Sequence, residues 1–241
     1  MQQVNRYLSG IEDQVPLSQA GHPGPGFRKP PPHRLAGGQA FEHEEAMIDK
    51  LKKRRTQYAL GKKLPISEKQ VDGLIREAIR LSPSSFNSQS SRAVILFGKE
   101  SDKFWNITRE ALRAVVPAAD FEPTSKKIDS FASGAGTVLF YEDQEPVQAL
   151  QTNFPLYAHN FPIWSEHSTG MAQLAVWAAL ADVGIGASLQ HYHPLVDADA
   201  AKAWNIPASW KLTAQMPFGS NEAGFPEKSF IDDETRFRTH H

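Results

Sequence analysis

Two stretches of the 241-residue chain gather side chains fit to meet an anion or the polar edge of a ligand. The first is Lys52-Lys53-Arg54-Arg55-Thr56, four cations followed by a hydroxyl. On its own it admits three readings. It can be a solvated helix end, where cations oppose the C-terminal dipole favourably. It can be a nuclear-localisation or nucleic-acid patch. It can also be an anion site, since a guanidinium fork matches phosphate and carboxylate geometry. The second stretch is Pro83-Ser84-Ser85-Phe86-Asn87-Ser88-Gln89. Short polar side chains behind a proline suit a loop that hydrogen-bonds a ligand edge, and equally an ordinary turn.

Other signatures carry less. His191 and His193 form an HxH pair that could bind a metal, but no obvious carboxylate or third histidine accompanies them, so a loop feature is expected. His43, between Glu42 and Glu44, reads as solvated helix surface. Gly184-Ile185-Gly186 resembles the start of a dinucleotide fingerprint, yet Leu189 stands where the third glycine belongs, and the segment precedes a strand instead of following one. No P-loop, GxSxG elbow or HExxH occurs. The absence of cysteine excludes disulfides, thiolate metal sites and a cysteine nucleophile. A net charge of −1 supplies no bulk field toward nucleic acid or anionic membrane. MQQVNRYLSGIEDQV has no signal-type apolar core, and no stretch approaches the roughly 18 apolar residues of a membrane span. A cytoplasmic protein without membrane or nucleic-acid partners is the expectation.

The elements that must position these residues follow from periodicity. Residues 1–40 crowd Pro23, Pro25, Pro30, Pro31 and Pro32 among glycines, with little to bury, and read as a flexible extension; 41–241 would be the folded domain. Regular structure is expected from near Phe41, with Met47, Ile48 and Leu51 on a helix that runs into the basic stretch. Ser67 and Gln70 form a capping box, and Val71, Leu74, Ile75, Ala78 and Ile79 make a helical stripe that Pro83 stops. Phe104, Ile107, Ala111, Leu112 and Val115 predict another helix, ending before Pro117. Val94–Phe97 and Thr137–Tyr141 read as buried strands, and Ile185–Gln190 as a third. Ser168–Val183 is apolar almost all round, hence an enclosed helix, with Gly184 as its terminator. Lys211, Thr213 and Gln215 alternate with Leu212, Ala214 and Met216, which predicts a strand with one wet or interface-facing side. Strands scattered among more numerous helices give a layered α+β domain.

Taken together, the motifs resemble the nitroreductase family. The resemblance rests on Arg54-Arg55-Thr56, the P-S-S-x-N-x-Q loop, the strand opened by Gly136-Thr137-Val138-Leu139-Phe140, and Trp164-Ser165-Glu166 before the central helix. It continues through Gly184 to Gln190, Pro217-Phe218-Gly219 and Glu227-Lys228-Ser229-Phe230, and is most similar to the branch named for the fungal fatty-acid-repression mutant. It implies a nitroreductase-like FMN-binding fold, a central mixed or antiparallel sheet flanked by helices, in a homodimer.

The resemblance also implies roles. Arg54 and Lys228 would grip the FMN phosphate, with Arg55 and Thr56 along the ribityl chain and pyrimidine edge. Phe230 stands where better-studied members carry a second basic residue, and Arg236 is the substitute considered. Ser84, Ser85, Asn87 and Gln89 would reach the flavin of the neighbouring subunit. Ala187, Ser188 and Leu189 would pass under the isoalloxazine, offering backbone N–H near N5. Lys127 would lie by the ring, where a cation raises the flavin potential. NADH or NADPH would be the co-substrate and a nitroaromatic or quinone-like compound the acceptor, in ping-pong order. Phe154, Phe161 and Trp164 would line the substrate mouth or the dimer core. A non-catalytic flavin-binding protein of redox or fatty-acid signalling is the alternative.

Overall fold

In a computed structural model, which describes residues 47–241, the strand at the heart of the fold is buried from end to end. This strand, β3 (Gly136–Asp143), carries the expected TVLFY sequence. Its side chains alternate between two covered faces, which is why Val138, Leu139 and Phe140 run apolar without a break. Val138 and Phe140 join one core with Val71, Ile75, Val176 and Leu180. Leu139 and Tyr141 join another with Phe104, Trp105, Ile128 and Phe131.

Among the described residues the sheet has five strands. β1 (Leu60–Gly61), β5 (Trp210–Asn221), β3 and β2 (Ser91–Phe97) lie in that order, and β4 (Gly186–Ala187) also pairs with β5. All these pairings are antiparallel. The helices are α1 (Met47–Lys53), α2 (Glu68–Arg80), α3 (Lys99–Arg113), α4 (Phe121–Ala132), α5 (Gln144–Asn153), α6 (Phe161–Asp182), α7 (Asp197–Trp204) and α8 (Asp233–Arg236). The class is α+β, an antiparallel sheet flanked by helices, as expected. The extension 1–40 and the helix start near Phe41 lie outside the described residues.

α2 begins and ends where its sequence says. The Ser67 hydroxyl accepts from Gln70 N–H at 3.3 Å while Gln70 Oε1 accepts from Ser67 N–H at 3.0 Å. Such a cap is worth about 1 kcal/mol. α6 closes on a Schellman motif: Ile185 N–H reaches Leu180 O at 2.9 Å, Gly184 N–H reaches Ala181 O at 3.1 Å, and Gly184 takes φ +79°.

Four expectations need correction. α6 starts at Phe161, seven residues before the expected Ser168, so Trp164-Ser165-Glu166 lies inside its first turns instead of before it. Pro162 lacks an N–H that no helix needs in its first turn. The strand expected over Ile185–Gln190 shortens to Gly186–Ala187, with an isolated bridge between Gln190 and Gln215. β5 has no wet side along its middle: Thr213 is 6% exposed and Gln215 0%. A bulge explains Thr213. Phe140 pairs with Ala214 and Tyr141 with Leu212, so Thr213 is left over and bonds the Phe140 carbonyl at 3.1 Å. Val115, expected on the third-helix stripe, falls past the end of α3 and is exposed. α4, α5 and α7 were not expected.

Candidate functional site

The basic stretch divides by partner. Lys50 and Lys53 both face Asp182, at 3.1 and 3.6 Å, and Lys52 meets Asp49 at 2.9 Å. Lys50 foremost holds the Asp182 carboxyl below the usual carboxylate range. The arginines are left without a carboxylate among the described residues. The Arg54 guanidinium lies 4.5 Å above the Trp177 ring of α6. Arg55 donates to the Pro226 carbonyl, with its guanidinium 5.8 Å from the Phe225 ring.

Backbone pairing fixes where the arginines stand. Past α1 the chain runs beside β4: Thr56 forms a parallel bridge to Ala187, and Gln57 N–H donates to Ala187 O at 2.9 Å. The buried Gln57 amide donates on to Ala223 O at 2.8 Å. Glu222 N–H bonds Ala59 O at 2.9 Å, so residues 222–226 follow the 55–59 segment in contact. Ala187 and Ser188 are fully buried. Ser188 N–H donates to Pro217 O and Gln190 N–H to Gln215 O, which turns the Leu189 N–H between them away from β5. The structure thus brings Arg54, Arg55, Thr56 and the Ala187–Leu189 segment together.

Lys228 follows two residues after Pro226, exposed, its Nζ 5.0 Å from the Phe230 ring. Arg236 sits on α8, exposed, its guanidinium 5.6 Å from the Phe237 ring. Lys127 is exposed on α4, one turn before Phe131, whose ring lies 6.4 Å from that of Tyr58. It touches none of the other candidates.

The Ser84–Gln89 loop stands elsewhere. Ser84 anchors it twice, its carbonyl accepting from Asn87 N–H at 3.0 Å and its hydroxyl from Gln89 N–H at 2.9 Å. Phe86, Asn87 and Gln89 have φ of 54°, 50° and 48°, and a bulky residue in that region is an outlier. Phe86 packs on Phe154, Phe161 and Trp164 at centroid distances of 4.9, 5.4 and 6.4 Å and stays half exposed. Trp164 and Trp177 are thirteen residues apart on α6. At about 1.5 Å per residue, the loop and Arg54 therefore lie about 20 Å apart along one helix.

His191 and His193 rings are 5.7 Å apart, and burial foremost lowers the His191 pKa. Among the described residues, no three His, Cys, Asp or Glu stand together at metal-binding spacing. Sequence reasoning missed Trp177, which was one more apolar residue in an apolar helix. It also passed over Phe86, although an aromatic inside a polar loop was a signal.

Residues 51–220 match the nitroreductase family, and the chain belongs to it. The family and the fold neighbours support an oxidoreductase. The chain is similar to the nitroreductase CinD from Lactococcus lactis, solved in complex with chloramphenicol: 47% identity and a TM-score of 0.76, over 81% of this chain and 100% of that one. CinD has also been solved with 4-nitrophenol. Two Saccharomyces cerevisiae proteins are similar as well. HBN1 is 37% identical over 183 residues, 75% of this chain and 91% of its own length. The nitroreductase FRM2 is 33% identical over 190 residues, 77% and 93% respectively. These relatives support the fatty-acid-repression-mutant branch. No helix of the described residues is long and apolar enough to cross a membrane.

Proposed function

We propose that the protein is an FMN-dependent NAD(P)H oxidoreductase, acting as a homodimer on nitroaromatic or quinone-like acceptors. One observation carries this reading: two guanidinium groups with no carboxylate partner among the described residues, on the residues that lead into the Thr56–Ala187 bridge. That donor set suits the phosphate end of FMN, which wants forked cations and backbone N–H groups. Lys228, on the segment alongside, would add charge, and Arg236 and Lys127 stay weaker candidates because nothing brings them to the arginines. Bound FMN would supply hydride acceptance from a nicotinamide and electron delivery to the acceptor. The chain's part is to grip the phosphate with Arg54, to direct the Leu189 N–H toward the ring, and to offer aromatic surface to a flat substrate.

The homodimer reading is supported by a groove of about 480 Å³ along α1, α2 and α6. Met47, Leu74, Leu81, Met171 and Leu174 line it, and Met47, Leu81, Met171 and Leu174 are exposed. Exposed apolar surface of this kind marks an association face. The 20 Å separation points the same way, because the loop needs another chain's flavin to face.

The test is optical and kinetic. The purified protein should be yellow, with about one noncovalent FMN per chain; NADH or NADPH should bleach it, and a nitroaromatic or quinone should restore the colour. Initial rates should give parallel lines when one substrate is varied at fixed levels of the other. Intersecting lines, meaning both substrates bound together, would refute the ping-pong order. A flavin that neither nicotinamide bleaches would move the reading to a non-catalytic flavin protein.

A further inference from the structure

Glu142 on β3 is 0% exposed, and among the described residues no cation forms an ion pair with it. Its cationic neighbours are spoken for. Arg92 pairs with Asp143 at 2.9 Å, and Lys211, opposite Glu142 in the ladder, pairs with Glu166 at 2.6 Å. A buried carboxylate without an ion partner is costly, and an apolar side chain would suit a strand enclosed on both faces better. Burial pushes the Glu142 carboxyl above the usual carboxylate range, and two serine hydroxyls pull it back.

Those serines are the point. Ser90 Oγ donates to Glu142 Oε2 at 2.5 Å and Ser91 Oγ to Glu142 Oε1. Ser90 and Ser91 directly follow Gln89, the last residue of the polar loop. Two further bonds close the same end: Asp143 N–H reaches Ser90 O at 2.9 Å, and Arg92 Nη1 donates to the Gln89 carbonyl. The loop contains three non-glycine residues in left-handed conformation, a state that persists only where the surroundings over-determine it. Ser84 holds it from one end. Glu142 and Arg92 hold it from the other.

We propose that Glu142 is a positioning residue, which by gripping Ser90 and Ser91 fixes the Ser84–Gln89 loop in the form that meets its ligand. That the ligand is FMN rests on the function proposed above; the clamp itself does not. Glu142→Leu fills the volume without the grip, Glu142→Gln keeps an acceptor and restores much of it, and the double variant Ser90→Ala/Ser91→Ala removes the partners should the leucine protein fail to fold. Asp102→Asn, which breaks the Lys62 pair without touching Glu142 or the loop, is the control.

Amide hydrogen exchange on the full chain reads the loop directly. In Glu142→Leu and in the double serine variant, the Asn87, Ser88 and Gln89 amides should exchange at least about tenfold faster. The α2 amides should stay close to wild type in both, and the thermal midpoint in Glu142→Leu; the serine variant, which leaves the buried carboxylate without its hydroxyl partners, should melt lower. Glu142→Gln should fall between wild type and Glu142→Leu in loop exchange. FMN affinity, from flavin fluorescence, should weaken about tenfold in step with loop exchange. Asp102→Asn should leave both unchanged. Loop exchange equal to wild type in both Glu142→Leu and the serine variant overturns the clamp. So does a loosened loop with undiminished FMN affinity. A wild-type chain that takes up no FMN removes the flavin reading while the exchange data still judge the clamp.

Discussion

Lys50 and Arg54 are four residues apart and both cationic, yet they end in different company. Lys50 is held by Asp182, a half-exposed surface pair of the kind worth at most about 1 kcal/mol. Arg54 lies over Trp177, with no carboxylate partner among the described residues. Its cation–π contact is worth roughly 0.5–1 kcal/mol, so Arg54→Ala should barely disturb the fold. A charge-assisted hydrogen bond is worth roughly 1.5–3 kcal/mol, so the same change should weaken FMN about ten- to a hundredfold. Flavin-fluorescence titration decides: an Arg54→Ala protein that binds FMN as tightly as wild type excludes this side chain from the phosphate. The candidate residues were legible to different depths. Arg54, Arg55 and Thr56 stood out because type and spacing both matched, and the structure seats Thr56 on Ala187. Glu142 gave no signal, because its meaning depends on a ladder partner 51 residues away.

Elements with local punctuation were readable, and those defined by distant partners were not. α2 declares itself by the Ser67 cap and an apolar stripe, and the end of α6 by Gly184, because each is decided within a few residues. α4 escaped notice, its Ile128 and Phe131 being too few to make a pattern without Trp105 opposite. The middle of β5 misled because alternation predicts a wet face only if nothing covers it. α6 covers one side: Thr169 and Thr213 hydroxyls meet at 3.2 Å. The strand's other end depends on a missing side chain. A Cβ at Gly219 would lie 2.1 Å from Gly61 O and 3.0 Å from Ala135 N, backbone atoms that cannot swing aside. Gly219→Ala should therefore cost about 1–3 kcal/mol or more, the range of overpacked cores. Urea denaturation would check it, and a loss under about 0.5 kcal/mol would mean β1 is free to shift away from β5.

At the scale of the whole molecule, the proposed dimer should sediment as one species at micromolar concentration, and a fully FMN-loaded monomer would contradict it. The length of α6 carries a genetic consequence. If Arg54 serves one flavin and the Ser84–Gln89 loop serves another about 20 Å along the helix, damage to the two should complement between chains. A chain bearing Arg54→Ala, paired with one bearing Ser84→Ala/Asn87→Ala, puts both defects into one site and leaves the other whole. Each variant alone should hold flavin poorly. Refolded together in equal amounts, they should recover about a quarter of the wild-type sites at wild-type affinity, since random pairing makes half the dimers hybrid and each hybrid has one sound site. Two loss-of-function alleles of this kind would rescue each other in a single cell, whereas two lesions in the same half-site would not.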